Sequence, residues 1–210
     1  MNILLIVLVI IASVMGSLMA FPQARRIVRT RRIEGVSAVW IGVSIALNSW
    51  WLVYGIFASV WAVVPVSVIS VGLYSTIAVA FLLSGGKSGL PGILLGLFGL
   101  GLVPLPFLLV GGWELAGVAV GLCYGLQLLP AVIEVFRSVK LAGVSGATWV
   151  LAALESAIWL VYGMAAGDAG LALAGVSGVV MAAVILVRLA VTGHRPFAVV
   201  AVDRRLASTR

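Results

Sequence analysis

Seven long runs of apolar residues alternate with short polar stretches along the chain. The runs cover residues 3–22, 38–57, 61–83, 90–110, 114–135, 145–165 and 169–191. Each run is near the length of about 20 residues that an α-helix needs to span a bilayer. The pattern therefore predicts an all-α integral membrane protein with seven transmembrane helices.

The first apolar run needs a separate decision, because it also has features of a secretory signal. It ends in small residues, but no Lys or Arg precedes it, so the basic segment that usually begins a signal is missing. We therefore expect residues 3–22 to remain in the protein as its first helix.

Composition narrows the class of protein. Of the 210 residues, 63% are hydrophobic and only 9% are charged, whereas soluble domains are about half apolar and about a quarter charged. These values exclude a soluble globular domain and a disordered chain. A disulfide scaffold is excluded because the chain has 1 cysteine, Cys123. We expect one membrane domain surrounded by the lipid bilayer.

The positions of the basic residues predict the topology. All 13 Lys and Arg residues lie in the first, third and fifth connections or from Arg188 to the C-terminus. Seven spans place them all on one side, which the positive-inside rule makes cytoplasmic. The prediction is a multi-pass protein of the cell membrane, with its N-terminus outside and a basic cytoplasmic tail at 192–210. This distribution argues against nucleic acid as a partner.

Two parts of the sequence are similar to each other. A shift of 108 residues aligns Pro22 with Pro130, and it aligns the motif Trp-Leu-Val-Tyr-Gly at Trp51 with the same motif at Trp159. We expect two copies of a three-helix unit, joined by a linker helix because three spans alone would reverse the second copy. The predicted divisions are a first repeat at 1–86, a linker helix at 87–112 and a second repeat at 113–191.

One ionisable side chain lies deep inside a predicted span. Glu155 is near the middle of the run 145–165, and Trp159 and Tyr162 follow it on the same helical face. A carboxyl group in hydrocarbon must be neutral or paired, and it normally faces the interior of a helix bundle. Two interpretations stay open, a ligand or proton site and a structural hydrogen bond between helices.

The first repeat extends this candidate site. Leu47 matches Glu155 there, and the adjacent Asn48 lies one turn before Trp51. Parallel repeats in a membrane usually enclose a substrate site near the bilayer midplane. We therefore expect Asn48, Trp51, Trp159 and Glu155 to bound one site, although an Asn in a span often only joins helices. Trp50, beside Trp51, is expected to point away from the site, towards lipid or the interfacial belt. Trp40 and Trp149 are expected to be anchors near the inner membrane interface.

Small residues and prolines indicate where helices can approach or bend. Gly117, Gly121 and Gly125 recur every four residues and predict close helix packing. Pro22 and Pro130 are expected to end or kink the first and fifth helices near the cytoplasmic side. Because they occupy equivalent places in the two repeats, they are candidate hinges of a gate, together with Gln23, which follows Pro22.

The chain has no constellation typical of an enzyme. Its 1 histidine, His194, is in the tail, and the sequence has no metal-ligand cluster, phosphate loop or paired nucleophile and base. We expect no catalysis, no cofactor and no metal.

The repeated motifs resemble those of PQ-loop proteins. They are Phe21-Pro22-Gln23, Gly35-Val36-Ser37 and Trp51-Leu52-Val53-Tyr54-Gly55, the last two with a second copy. A 3+1+3 layout with these motifs is similar to the SWEET sugar transporters and the half-size SemiSWEETs. The resemblance covers roughly residues 5–85 and 113–190. It implies two parallel triple-helix bundles and passive transport by alternating access.

The resemblance also implies where a substrate binds. In that family a Trp of the second and sixth helices and an Asn of the third and seventh flank the substrate. Trp51 and Trp159 match the Trp positions. Ser177 stands where the family has the Asn of the seventh helix, and Ser70 is the nearest counterpart in the third helix. Glu155 matches a position that lines the family's pocket. The implied substrate is a small polar solute, in the first place a sugar.

Two alternatives stay open beside a sugar transporter. One is a proton-linked carrier of an amino acid or cationic metabolite, in which Glu155 is the proton or amine partner. The other is a membrane receptor or assembly factor that transports nothing, because a fold alone does not determine function. The sequence also leaves open whether the chain forms a homo-oligomer.

Overall fold

The structure is a computed structural model, and it describes residues 3–31, 33, 36–137 and 146–192. Within these ranges the chain is all-helical, with short 3₁₀ turns at Trp61–Val63 and Gly86–Gly89. The helices are α1 Ile3–Thr30, α2 Ala38–Phe57, α3 Val64–Leu83, α4 Leu90–Gly101, α5 Pro104–Arg137, α6 Gly146–Ala166 and α7 Ala169–Val191. The predicted basic tail beyond Thr192 lies outside the described residues.

Six helical stretches of the described chain are long and apolar enough to cross a membrane. By helix length and composition, the protein is therefore a multi-pass membrane protein. One of the six stretches, Gly86–Arg137, has 52 residues. As a single helix it would be about 78 Å long, which is more than twice the thickness of about 30 Å of the hydrocarbon core.

The backbone leaves the helical conformation twice within this long stretch. Gly111 and Gly112 have non-helical dihedral angles, and the φ of Gly112 is 63°, a left-handed value that glycine adopts without steric cost. A turn before Pro104 also separates α4 from α5. Proline favours the first position of a helix and disfavours a helical conformation in the residue before it. The prediction of one continuous helix over 90–110 is therefore wrong.

The prolines of the two repeats do not end their helices. α1 continues through position 22 to Thr30, and α5 continues through Pro130 to Arg137. Of the two alternatives expected at these positions, a helix end and a kink, the helix end is therefore wrong. An internal proline removes one backbone hydrogen bond, and neighbouring helices compensate for this loss in membrane-spanning segments. The role of the two prolines as hinges stays a prediction.

The two halves of the chain repeat the same helix packing. In the first half α3 packs against both α1 and α2, and in the second half α7 packs against both α5 and α6. The turns repeat as well, since Ser59 before α3 and Gly167 before α7 have left-handed φ values of 60° and 69°. Ser59 and Gly167 are also related by the shift that aligns the sequence motifs. The sequence repeat is therefore accompanied by a repeat of packing and turn geometry.

The two halves meet through reciprocal helix pairs. α1 packs on α6 and α2 packs on α5, so the first helix of each half contacts the second helix of the other. Glycines allow the closest approaches within the fold. A Cβ atom at Gly121 of α5 would collide with the carbonyl oxygen of Gly170 of α7. The close packing that the small residues of the fifth helix predict is thus confirmed.

Candidate functional site

A cavity of about 400 Å³ lies between the two repeats. Residues of α1, α2 and α3 form one part of its wall, and residues of α5, α6 and α7 form the other. The predicted substrate-binding residues that line it are Asn48, Trp51, Ser70, Glu155 and Trp159. The structure therefore places these five side chains around one space, and their contact with a substrate stays a prediction.

Ser177 is not among the residues that line the cavity. A Cβ atom added at Gly125 of α5 would lie 3.2 Å from the Ser177 Oγ, so this side chain belongs to the contact between α5 and α7. On α7 the cavity is lined instead by Leu171, Ala174 and Gly175. Ser177 comes two residues after Gly175, which rotates it by about 200° to the other side of the helix.

The three predicted gate residues have different outcomes. Pro130 is exposed and lines the cavity. The side chains of Pro22 and Gln23 lie outside what the structure describes.

Several residues of the cavity wall were not predicted from the sequence. Tyr74 of α3, Tyr124 of α5 and Gln127 of α5 all line it. Tyr74 follows Ser70 by four residues and so shares its helical face, which is a signal that sequence reasoning could have used. Trp40 and Trp149 were expected at the membrane interface, but they also line the cavity.

The two Trp-x-x-Tyr motifs have the same geometry. The rings of Trp51 and Tyr54 pack edge to face with centroids 5.8 Å apart, and those of Trp159 and Tyr162 do so at 6.2 Å. Both tyrosines are buried, and both tryptophans line the cavity. Because edge-to-face packing favours one relative orientation of the rings, each repeat presents a well-oriented indole to the cavity.

Trp50 lies on a different face of α2 from Trp51. Its indole Nε1 donates a hydrogen bond of 2.7 Å to the carbonyl oxygen of Gly101. The expectation that Trp50 points away from the candidate site is confirmed, but its partner is α4 rather than lipid.

Amide groups from both repeats gather at one wall of the cavity. Gln127 Nε2 of α5 donates to Ser44 Oγ of α2 at 3.1 Å. Asn48 Nδ2 donates to the backbone carbonyl of Ser44 at 2.8 Å. Asn48 and Gln127 line the cavity, whereas Ser44 is fully buried behind it. This arrangement provides hydrogen-bonding groups for a polar solute.

Glu155 is the one acidic residue among the described residues that line the cavity. Its side chain is only 7% exposed. Its Oε1 accepts a hydrogen bond of 3.3 Å from Trp159 Nε1 and lies beside Gly16 of α1, where an added Cβ would come within 2.6 Å of it. Its Oε2 is buried and has no hydrogen-bond partner among the described residues. The carboxyl group thus lies where α1 of one repeat meets α6 of the other.

One end of the cavity is closed by contacts between the repeats. We call it the turn end, because the turns at Ser59 and Gly167 lie there. A buried cluster at this end combines side chains of both repeats, among them Tyr54, Val63, Val120, Tyr162 and Leu171. Tightly packed side chains leave few voids large enough for water, so the cluster seals the turn end.

A hydrogen bond at the turn end joins the repeats directly. The Tyr54 hydroxyl of α2 donates to Asp168 Oδ2 at 2.9 Å. Asp168 is also the N-cap of α7, since its Oδ1 accepts from the Leu171 N–H at 2.9 Å. We call the bond between α2 and this cap the Tyr54–Asp168 latch. Because this hydrogen bond joins α2 of one repeat to the start of α7 of the other, the latch holds the repeats together at the turn end.

The opposite end, which we call the arginine end after Arg137 and Arg188, is organised differently. The described core clusters there are separate, one from α1 to α4 around Ile77 and one from α5 to α7 around Ile185. Thr148 lines the cavity near the start of α6 and is exposed. In the described part of the chain, a buried cluster therefore joins the two repeats at the turn end, whereas the core clusters at the arginine end do not join them.

The chain matches no protein-family model, and no curated protein has a significantly similar sequence. Within the described ranges, no group of three or more His, Cys, Asp and Glu residues could hold a metal ion. The function is therefore inferred from the cavity and its own residues.

Proposed function

We propose that the protein is a membrane transporter that moves a small polar solute through the cavity by alternating access. The observation that carries the proposal is a cavity between two similar three-helix units that contact each other at the turn end. Rocking of repeats around a central site is a common mechanism of secondary transporters. In the proposed cycle the Tyr54–Asp168 latch breaks, the turn end opens, and the solute leaves the cavity through this end.

The proposed architecture has seven spans in a 3+1+3 layout. The stretch Gly86–Arg137 is too long for one span. The break at Gly111 and Gly112 divides it into a linker span, made of α4 and the start of α5, and the first helix of the second repeat. This division gives both repeats the same orientation. The reciprocal contacts of α1 with α6 and of α2 with α5 support it.

The proposal includes a relationship to PQ-loop proteins of the SWEET type, which the repeated motifs support. A sugar is the substrate class that this relationship implies. The indoles of Trp51 and Trp159 and the amide of Asn48 suit such a ligand, because small-molecule sites combine apolar faces with a few polar groups that set orientation. Glu155 favours a second candidate, a proton-linked carrier of an amino acid or cationic metabolite.

Uptake into proteoliposomes is the experiment that tests the proposal. The purified chain is reconstituted and offered a panel of labelled solutes, which includes D-glucose, neutral amino acids and small amines, at two pH values. A transporter is expected to accumulate at least one of them faster than protein-free liposomes do. Binding without uptake by any member of the panel would contradict transport and favour a receptor.

The proposed topology predicts that Ser88 is cytoplasmic and Ser59 is outside. Both side chains are exposed in the described structure. In a Cys123→Ala background, a membrane-impermeant thiol reagent added to intact cells should label Ser59→Cys at once and Ser88→Cys only after the cells are permeabilised. Labelling of Ser88→Cys in intact cells would overturn the topology.

Breaking the Tyr54–Asp168 latch is expected to open the turn end more often. Tyr54→Phe removes the hydroxyl but keeps the ring that packs on Gly117 and Trp51. With Ala174→Cys as a reporter on the cavity wall in a Cys123→Ala background, labelling from outside should accelerate up to roughly tenfold, since a hydrogen bond typically contributes about 0.5–1.5 kcal/mol.

Tyr74→Phe is the matched control for the latch, because it also removes a phenol hydroxyl, but from a residue that lines the cavity and packs against Trp40. It should leave the labelling rate of the reporter unchanged. Equal rates for Tyr54→Phe and the parent protein would show that the latch does not hold the turn end closed.

A further inference from the structure

The charge of the described part of the cavity wall is unbalanced. Among the described residues that line the cavity, Glu155 is the one acidic residue, and none is Lys, Arg or His. A buried carboxylate without a counter-charge is costly, because neither water nor a partner compensates the loss of hydration. The group that this wall would stabilise most is therefore a positive charge inside the cavity.

The hydrogen bonding of Glu155 does not explain the residue as a structural link between helices. Its one described hydrogen-bond donor, Trp159, lies four residues further on the same helix. The Oε2 atom has no partner among the described residues, although the side chain is 7% exposed. A carboxyl group that joins helices would be expected to bond a residue of another helix. One oxygen of this carboxyl thus remains for a ligand.

The first repeat shows that the fold does not need a carboxyl group at this position. Leu47 is the equivalent residue by the shift that aligns the repeats. Its side chain is 2% exposed and packs in the cluster that closes the turn end. Since an apolar side chain serves the first repeat, Glu155 adds a charge to only one side of an otherwise repeated site.

Several aromatic rings line the cavity together with the carboxyl group. Trp159 donates to it, and Tyr74 and Tyr124 line the same cavity. Trp51 lines the same cavity from the first repeat. Indole and phenol rings attract organic cations through their negative faces, and several rings together form the cages that recognise ammonium groups. A carboxylate within such a set of rings is suited to an ammonium ion.

The size of the cavity limits the ligand further. Its volume of about 400 Å³ is near the lower end of the range for ligand pockets, which is about 300–1,000 Å³. One carboxylate balances one positive charge. The cavity therefore suits a small solute with a single ammonium group better than a polyamine or a peptide.

We infer that the transported solute is a small organic cation, bound with its ammonium group between the Glu155 carboxylate and the aromatic rings of the cavity. The inference rests on the proposed function, because it names the substrate class of the same site. Asn48 and Gln127, at the wall formed by α2 and α5, are available for the polar remainder of the solute.

The inference is tested by comparing cations with neutral molecules of the same shape. The purified chain is titrated with choline and with its neutral isostere 3,3-dimethyl-1-butanol, and with ethanolamine and its neutral counterpart ethylene glycol, while tryptophan fluorescence is recorded. We expect each cation to bind more tightly than its neutral counterpart. This comparison needs no variant, so it remains decisive if a substitution prevents folding. Equal affinities within both pairs would overturn the inference.

A pair of charge-removing variants locates the effect. Glu155→Gln should weaken binding of the cation roughly thirtyfold or more, as is typical when one partner of a buried charge pair is removed. Glu114→Gln removes the same charge from an exposed position of α5 and should leave the affinity unchanged. Glu155→Asp keeps the charge and should keep the preference for cations. An unchanged affinity in Glu155→Gln would overturn the inference.

Uptake into proteoliposomes separates this inference from the proposed function. Uptake of D-glucose without uptake of either cation would overturn the inferred cation site but support the proposed transport function. Tight binding of a cation that is never taken up would overturn the transport function but support the cation site. Uptake of choline or ethanolamine that Glu155→Gln abolishes would support both.

Discussion

Replacing either Trp51 or Trp159 with alanine is expected to abolish transport. Each indole lines the cavity from one repeat and is oriented by a tyrosine one turn further on. Loss of an aromatic side chain from the centre of a binding site typically lowers affinity roughly thirtyfold or more. Initial rates of uptake into proteoliposomes, measured at equal amounts of inserted protein, should therefore fall to the level of protein-free liposomes.

Trp50→Ala is the control for the tryptophan prediction. Trp50 donates to the carbonyl oxygen of Gly101 and packs on α4 outside the cavity, so its loss should weaken the contact between α2 and α4 and lower transport less. Trp51 is 9% exposed, and its removal leaves a void that can destabilise the fold. Two comparisons separate destabilisation of the fold from loss of binding. The conservative variant Trp51→Phe keeps an aromatic ring at this position, and the elution of each variant in size-exclusion chromatography reports whether it is folded. Greater loss of transport in Trp50→Ala than in Trp51→Ala would show that the faces of α2 are wrongly assigned.

Uptake of a cation by the unaltered protein is expected to rise with pH, and this dependence is expected to disappear in Glu155→Gln. The ionised carboxylate attracts an ammonium group, whereas protonation at low pH removes the charge and the attraction. The amide of glutamine keeps the shape and the hydrogen bonding but does not titrate. Initial rates between about pH 4 and 8, where carboxyl groups titrate and ammonium groups stay charged, decide the question.

The neighbours of Glu155 do not supply a competing titration in that range. Tyr74 of α3 and Tyr124 of α5 are the nearby titratable groups of the described chain that line the cavity, and phenols titrate near pH 10. Superimposable pH profiles for the unaltered protein and Glu155→Gln would refute a titrating role of Glu155. In that case a passive sugar transporter would be the better proposal.

The positions of most helices could be predicted because the membrane leaves the backbone few choices. In hydrocarbon every N–H and C=O group must be bonded within the protein, which an apolar helix achieves by itself. The run 38–57 was predicted and α2 has the same bounds, as does α7 for the run 169–191. The predicted bounds were wrong for the run 90–110. Its hydropathy stays high throughout, but a new helix begins at Pro104.

The faces of the helices were harder to predict. A helix that is apolar on all sides has no clear difference between its lipid-facing and protein-facing sides. Trp40 and Trp149 were expected at the interface because they lie near helix ends, and Ser177 was expected at the site because of the family resemblance. In the structure Trp40 and Trp149 line the cavity, and Ser177 packs on Gly125.

The amino-acid sequence by itself determined the apolar helices, the internal repeat and the unusual Glu155, because each of these is a property of residue order. Only the tertiary structure decided that Glu155 lies beside Gly16 of the other repeat, that its Oε2 has no partner among the described residues, and that Tyr54 reaches Asp168. The contacts of Glu155 with Gly16 and of Tyr54 with Asp168 join residues more than 100 positions apart. They depend on how the helices rotate and cross. Side-chain packing between the helices sets that geometry, and no local pattern in the sequence specifies it.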